Sequence, residues 1–258
     1  MKILDLEHTP FHQLEYRSSG PGGVERRVVL PFHRAWIDAM PAGIQCLVAV
    51  SDIQGRELDR NGNRLLGEAV AEELALLQDL GEIPDVDVVL LAGDLFDYPD
   101  LHKLGGTGDV TAVWNAFAVT SPAVIGVHGN HDMVEDELAP NAIALDGQVR
   151  EYAGLRIGGV SGIIGQEDRH HRRGEMTYRK VLQDTLAAKP QILLLHQGPD
   201  DPDRNQPGDP SVRDYLENHG SSLVIFGHKH WYQPLHDLGR NQLLNVDHRL
   251  VVMSVREP

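Results

Sequence analysis

The sequence predicts an α/β protein, layered as a two-sheet β-sandwich flanked by helices, and three observations carry that expectation. Short, almost wholly apolar runs recur along the chain, as strands buried on both faces require. Amphipathic stretches of helical period alternate with them, the pattern of parallel strands joined by right-handed crossovers. Beyond residue 148 the alternation starts again, so a second sheet is expected to pack face to face on the first.

With 258 residues and 41 % apolar side chains the chain can fill one large core, and a single domain over 1–258 is the expectation. A formal charge of −15 argues against a protein that gains its affinity by neutralising many backbone phosphates, because such binders carry a surplus of Lys and Arg. Small phosphate substrates stay open. Cys46 is the only cysteine, which rules out an internal disulfide and suits a reducing compartment. Residues 1–8 contain two acids and no long apolar core, unlike a secretory signal. No run approaches the roughly 18 apolar residues of a spanning helix. A cytoplasmic protein without a membrane partner is therefore expected.

In chain order, residues 1–40 hold one strand signal, Val28-Val29-Leu30, and the turn Gly20-Pro21-Gly22-Gly23, which together predict a hairpin extension on a sheet edge. His8, His12 and His33 have no partner at metal-ligand spacing and read as surface or packing residues. Residues 44–50 form a buried strand that ends at Ser51-Asp52-Ile53-Gln54. Leu66, Val70, Leu74 and Leu77 mark an amphipathic helix stopped by Gly81. The next strand, 86–92, breaks at Gly93-Asp94-Leu95-Phe96-Asp97. A helix over 110–119 leads to a third apolar run entered from Ser121-Pro122 and closed by Gly129-Asn130-His131-Asp132. Strands are then expected at 148–152 and 155–162, a helix at 176–188, and strands at 192–195 and 223–226. The last two end on His196-Gln197 and on Gly227-His228-Lys229-His230. Antiparallel strands are expected over 233–255, and 199–210 reads as a mobile loop.

Five apolar runs thus end in Asp, Asp, Asn, His and a His pair. A single Asp or Asn after a strand is an ordinary turn former, whereas five such endings at one sheet edge describe a ligand set. Two divalent cations about 3.5–4 Å apart need carboxylate, imidazole and amide groups converging from several elements.

Asp52, Gly93-Asp94-x-x-Asp97, Gly129-Asn130-His131-Asp132, His196 and Gly227-His228-x-His230 resemble, in order, the five blocks of the calcineurin-like metallophosphoesterases. The resemblance spans about residues 44–232 and implies a two-sheet sandwich flanked by helices. It also implies that Asp52, Asp94 and His230 hold one metal while Asp94, Asn130, His196 and His228 hold the other, Asp94 bridging. Two divalent ions are implied as cofactors, Mn²⁺ foremost, with Fe, Zn, Mg or Ni as alternatives. A hydroxide held between the ions would attack phosphorus in line with the leaving oxygen. His131 would stand beside the leaving group and Asp97 would orient its ring.

One block departs from the pattern, because most members read Asp-x-His where this chain has Asp52-Ile53-Gln54. An amide oxygen is a weaker donor than imidazole for borderline ions and suits harder ones such as Mn²⁺ or Mg²⁺. Three outcomes follow: Gln54 acts as a ligand, the first ion is loosely held, or catalysis has been lost.

Arg169, Arg172 and Arg173 form a basic run with His170 and His171 that could hold a second phosphate at the cleft rim, or else be a solvated charge run. Trp114 and Phe117 read as core, and Trp231 and Tyr232 are placed to stack on a ring. His102, His128, His219, His236 and His248 read as structural, and Asp132 as the residue that fixes its turn. The leading expectation is hydrolysis of a small phosphate mono- or diester, nucleotides among the candidates. A nuclease with the same blocks and a non-catalytic protein-binding scaffold are the rivals; the acidic charge speaks against the first, and only Gln54 favours the second.

Overall fold

The apolar runs become strands because both of their faces are covered. The computed structural model describes residues 1–256. Its eight-stranded sheet runs Ile3–Leu6, Glu25–Ile37, Arg249–Val255, Cys46–Ser51, Val88–Leu91, Ala123–Gly126 and Ala142–Ala144, with His12–Ser19 also paired to Glu25–Ile37. A six-stranded sheet runs Gln148–Tyr152, Leu155–Val160, Ile192–Gln197, Leu223–Gly227, Asn241–Asn245 and Leu235–Leu238. Alternate residues of each central strand face opposite ways. Leu47, Ala49, Val88 and Leu90 meet Ile192, Leu194, Leu223 and Ile225 between the sheets. Val48, Val50, Val89 and Leu91 pack instead on helices Leu66–Asp79 and Thr111–Thr120, through Val70, Leu74, Trp114 and Phe117. On the far side Leu193, Leu195, Val224 and Phe226 are covered by Tyr178 and Leu182 of helix Glu175–Ala187 and by Val212 and Leu216 of helix Pro210–Asn218. Four layers result, each fully buried Leu or Val contributing about 1.5–3 kcal/mol of apolar transfer.

Local signals act as their chemistry predicts. The Glu68 carboxylate accepts the Leu65 N–H at 3.0 Å where the first helix starts, and Gly81, at φ +70°, turns the chain out of its end. Two expectations are corrected. Leu235–Leu238 and Asn241–Asn245 do pair antiparallel, but Arg249–Val255 leaves them and enters the other sheet, parallel to Glu25–Ile37 and antiparallel to Cys46–Ser51. The residues from Arg249 to Met253 are all buried, so the strand needs cover on both faces. Residues 199–210 are tied down rather than loose, by the bridges Pro199↔Asp209 and Asp201↔Gln206 and by a short 3₁₀ turn, Pro202–Arg204. Asp209 then caps the following helix, accepting the Ser211 and Val212 N–H groups at 2.9 and 3.1 Å.

The N-terminal hairpin pairs His12–Ser19 with Glu25–Ile37, from His12↔Phe32 to Ser19↔Glu25. Its tip is bonded to the loop after Cys46–Ser51. Arg17 and Arg56 exchange backbone hydrogen bonds at 2.8 and 2.7 Å, and the Ser18 hydroxyl donates to the Gln54 carbonyl at 3.1 Å.

Candidate metal centre

Parallel strands in both sheets deliver their carboxyl ends to one place, and the backbone there turns sharply. Asp52, Asp94 and His228 have φ of 54°, 57° and 69°, left-handed values that few non-glycine residues adopt and that cluster at functional sites. The glycines beside them permit close approach. A β-carbon on Gly129 would overlap the Asp94 carboxylate, and one on Gly227 would overlap Asp52. Across the two sheets, the His228 N–H donates to Asp52 Oδ2 at 2.9 Å and His196 Nδ1 donates to the Ala92 carbonyl at 2.8 Å.

Ligand atoms of Asp94, His196 and His228 lie within 4.8 Å of one another. The bond from His196 Nδ1 to a carbonyl leaves Nε2 as the lone-pair nitrogen, the usual arrangement of a metal-binding imidazole. The Asn130 Oδ1 is buried with no hydrogen-bond partner, which is costly unless a further group fills the site, and the buried His196 Nε2 has only the Asp94 carboxylate beside it, at 3.3 Å. Burial alone would raise the Asp94 carboxyl, but His196, with Nε2 at 3.3 Å, holds it below the usual range; against its own burial His196 is raised by that carboxylate, and the proton this places on Nε2 is one that a bound cation would displace. Burial and the neighbouring His196 push His228 down to about 3, so its ring is neutral and available as a donor. Burial first, then Asp247 and Asp94, lift Asp52 well above the ordinary carboxylate range. A cluster of buried acids that cannot all ionise alone is what a divalent cation relieves. Asp94, His196 and His228 can therefore hold one ion.

The other group is less complete. Asp52 and Gln54 line a cleft of about 520 Å³ together with His228, and Gln54 Nε2 is buried without a hydrogen-bond partner. His230 lines the cleft too, but its Nδ1 is 3.1 Å from the Asp247 carbonyl and Arg249 Nη2 is 3.0 Å from its Nε2. A guanidinium beside that nitrogen disfavours a cation there. Among the described residues, neither Asp52 nor His230 joins the tight group of Asp94, His196 and His228.

The family model for calcineurin-like phosphoesterases matches residues 47–232. The chain belongs to that family. Metal-dependent hydrolysis of phosphate esters is the chemistry that membership points to. No curated protein matches the chain. Among solved structures, the protein TT1561 of Thermus thermophilus is 18 % identical with a TM-score of 0.56, over 83 % of this chain and 100 % of that one. Phosphopantetheinyl hydrolase of Mycobacterium tuberculosis is 13 % identical with a TM-score of 0.47, over 80 % and 90 %. A hypothetical protein, also of Thermus thermophilus, is 14 % identical with a TM-score of 0.48, over 82 % and 77 %. The first shares the fold.

Within this calcineurin-like phosphoesterase, the remaining residues singled out from sequence divide. Asp132 fixes its turn by accepting N–H groups from Asp94, Leu95 and Gly129 at 2.7, 2.7 and 2.8 Å. His131 is half-buried with its ring against Gly105, and Nδ1 is 3.5 Å from the Thr107 hydroxyl, the outer limit of a hydrogen bond. Asp97 does not orient that ring. Its carboxylate accepts the Ser19 N–H at 3.2 Å, the Ser19 hydroxyl at 3.1 Å and the Tyr98 N–H at 2.8 Å, so its place is under the hairpin.

Arg169, Arg172 and Arg173 do not line the cleft. Arg173 pairs with Asp146, Arg172-Arg173 forms a two-residue ladder with Ile163-Ile164, and His170 bonds the Asp132 carbonyl at 2.7 Å. The run braces the back of the Asn130 turn. Trp231 is core, edge-on to Phe226 with its indole N–H on the Pro207 carbonyl at 2.7 Å, whereas Tyr232 is exposed. Asp247 was missed. It lines the cleft, and the run 243–246 ends on it as the other strands end on the candidate ligands, a signal available in the sequence.

Proposed function

We propose that the chain hydrolyses a small phosphate mono- or diester in the cleft bounded by Asp52, Gln54 and His228. The observation that carries this reading is the buried cluster of Asp94, His196 and His228, whose ligand atoms lie within 4.8 Å of one another, with the buried Asn130 Oδ1 left without a hydrogen-bond partner. Bound divalent ions would supply a more acidic coordinated water and neutralise charge on the phosphoryl oxygens. Asp94, Asn130, His196 and His228 would hold the tighter ion, and Asp52, Gln54 and His230 the weaker one. The oxygen-rich donor set favours Mn²⁺. His131 N–H donates to Asp94 Oδ1 at 3.0 Å, which fixes the backbone of the residue whose ring would protonate the leaving oxygen. No described helix is long and apolar enough to cross a membrane. A cytoplasmic location belongs to the same proposal and rests on the lone, buried Cys46.

Purified protein with Mn²⁺ should release phenol from aryl phosphate mono- or diesters. His228→Ala should reduce that turnover by about a hundredfold or more while the circular dichroism spectrum is kept. Absence of turnover with every divalent ion tried would favour the scaffold reading. Faster cleavage of duplex DNA than of small esters would favour the nuclease.

A further inference from the structure

The family match begins at residue 47, yet one wall of the metal cleft is built before it. Tyr16, Ser18, Ser19, Arg26 and Val28, all from the N-terminal hairpin, line the cleft opposite Asp52, Gln54 and His228. The wall is rigidly placed. Arg17 donates from Nε to the Glu57 carbonyl at 2.9 Å and from Nη2 to Asn63 Oδ1 at 2.7 Å, and the Tyr16 hydroxyl bonds His248 Nδ1 at 3.1 Å. The Ser19 bonds to the buried Asp97 complete the anchoring.

Arg26 differs from its neighbours on this wall. It is exposed to the cleft and has no side-chain hydrogen bond or ion pair among the described residues, although the protein is strongly acidic and Arg17 on the paired strand is ion-paired to Glu25. Its side chain lies against Gly20, where a β-carbon would meet Nε at 2.5 Å, so the hairpin turn leaves room for it. The cleft is also larger than the reacting group needs. At about 520 Å³ it lies within the range of sites that take whole small molecules, roughly 300–1,000 Å³. Among the described residues, Arg26 is the one Lys or Arg lining it.

We infer that the hairpin is the specificity wall of the site and that Arg26 receives a second anionic group of the substrate, so that the preferred substrates are phosphate esters carrying another phosphate. This rests on the phosphoesterase reading for the first phosphate. A guanidinium fits a phosphate through paired N–H donors, and one standing free in the cleft need not break an existing ion pair to bind. The hydroxyls of Ser18 and Ser19 on the same wall are engaged with protein acceptors, which leaves Arg26 as the group that distinguishes substrates by charge.

The test compares adenosine 3′,5′-bisphosphate with 5′-AMP, with Mn²⁺ present, for the full chain and for Arg26→Ala and Arg26→Lys. The expected result is that Arg26→Ala lowers kcat/KM for the bisphosphate about tenfold more than for AMP, through KM rather than kcat, with partial recovery in Arg26→Lys. Equal losses on both nucleotides, or no loss on either, would overturn the inference. If the unmodified chain hydrolyses neither nucleotide nor an aryl phosphate, the phosphoesterase reading fails separately, and calorimetric binding of the same two nucleotides decides. A selective weakening of the bisphosphate by Arg26→Ala then upholds the subsite, and equal weakening removes it.

Discussion

Gln54 stands where the family resemblance leads to an imidazole being expected, it lines the cleft, and its Nε2 is buried without a hydrogen-bond partner. Rotation of the amide brings its oxygen to the same place. Replacing it by His should strengthen the weaker ion by about tenfold, measured by calorimetric titration with Zn²⁺, because imidazole is the better donor for borderline ions. Unchanged affinity would mean that position 54 is not a ligand. Asp97 shows how a residue type can be legible and its role not. An acid three residues after Asp94 is visible in the sequence, but its partner, Ser19, lies 78 positions away across the hairpin. Asp97→Ala should leave the buried Ser19 N–H unsatisfied and lower unfolding free energy by about 1–3 kcal/mol in denaturant titrations.

At the scale of elements, the site depends on where strands stop and how tightly the next residues turn. Gly129 is small because the Asp94 carboxylate and backbone pass against it. Gly129→Ala should therefore cost about 1–3 kcal/mol and weaken the tighter ion together, since the same displacement moves Asp94. Loss of stability with metal affinity intact would separate the two. Strands and helices were legible because double-sided burial makes all-apolar runs and single-sided burial makes helical periods, as at 44–50 and at Leu66, Val70, Leu74 and Leu77. The path of Arg249–Val255 was not. An apolar run states that a strand is covered and does not say by which sheet.

On the scale of the whole molecule, the basic run has a structural consequence that its composition hides. His171 stacks on His128 with ring centroids 5.2 Å apart, and burial, followed by His170 and His128, lowers it to about 4 from an unfolded value of 6.5. Between those values the unfolded chain binds a proton that the folded one refuses. Stability present above 6.5 is thus lost as pH falls toward 4. In His171→Asn, whose side chain tolerates the left-handed backbone at φ 46°, that loss should disappear. The Tm difference between variant and parent should shift in the variant's favour from about pH 7.5 to about pH 5, and an equal difference at both would refute the assignment.

By itself the sequence determined the layered class, most elements and the residue types that close each strand, because burial and turn chemistry are written locally. Only the tertiary structure decided which of those residues meet. It gathered Asp94, His196 and His228 within 4.8 Å, turned Arg173 and His170 to bracing, and set Arg249 against His230. It also brought the hairpin's Arg26 to the cleft. The physical reason is that ligand convergence and charge pairing depend on distances between distant parts of the chain, and no local pattern carries those distances.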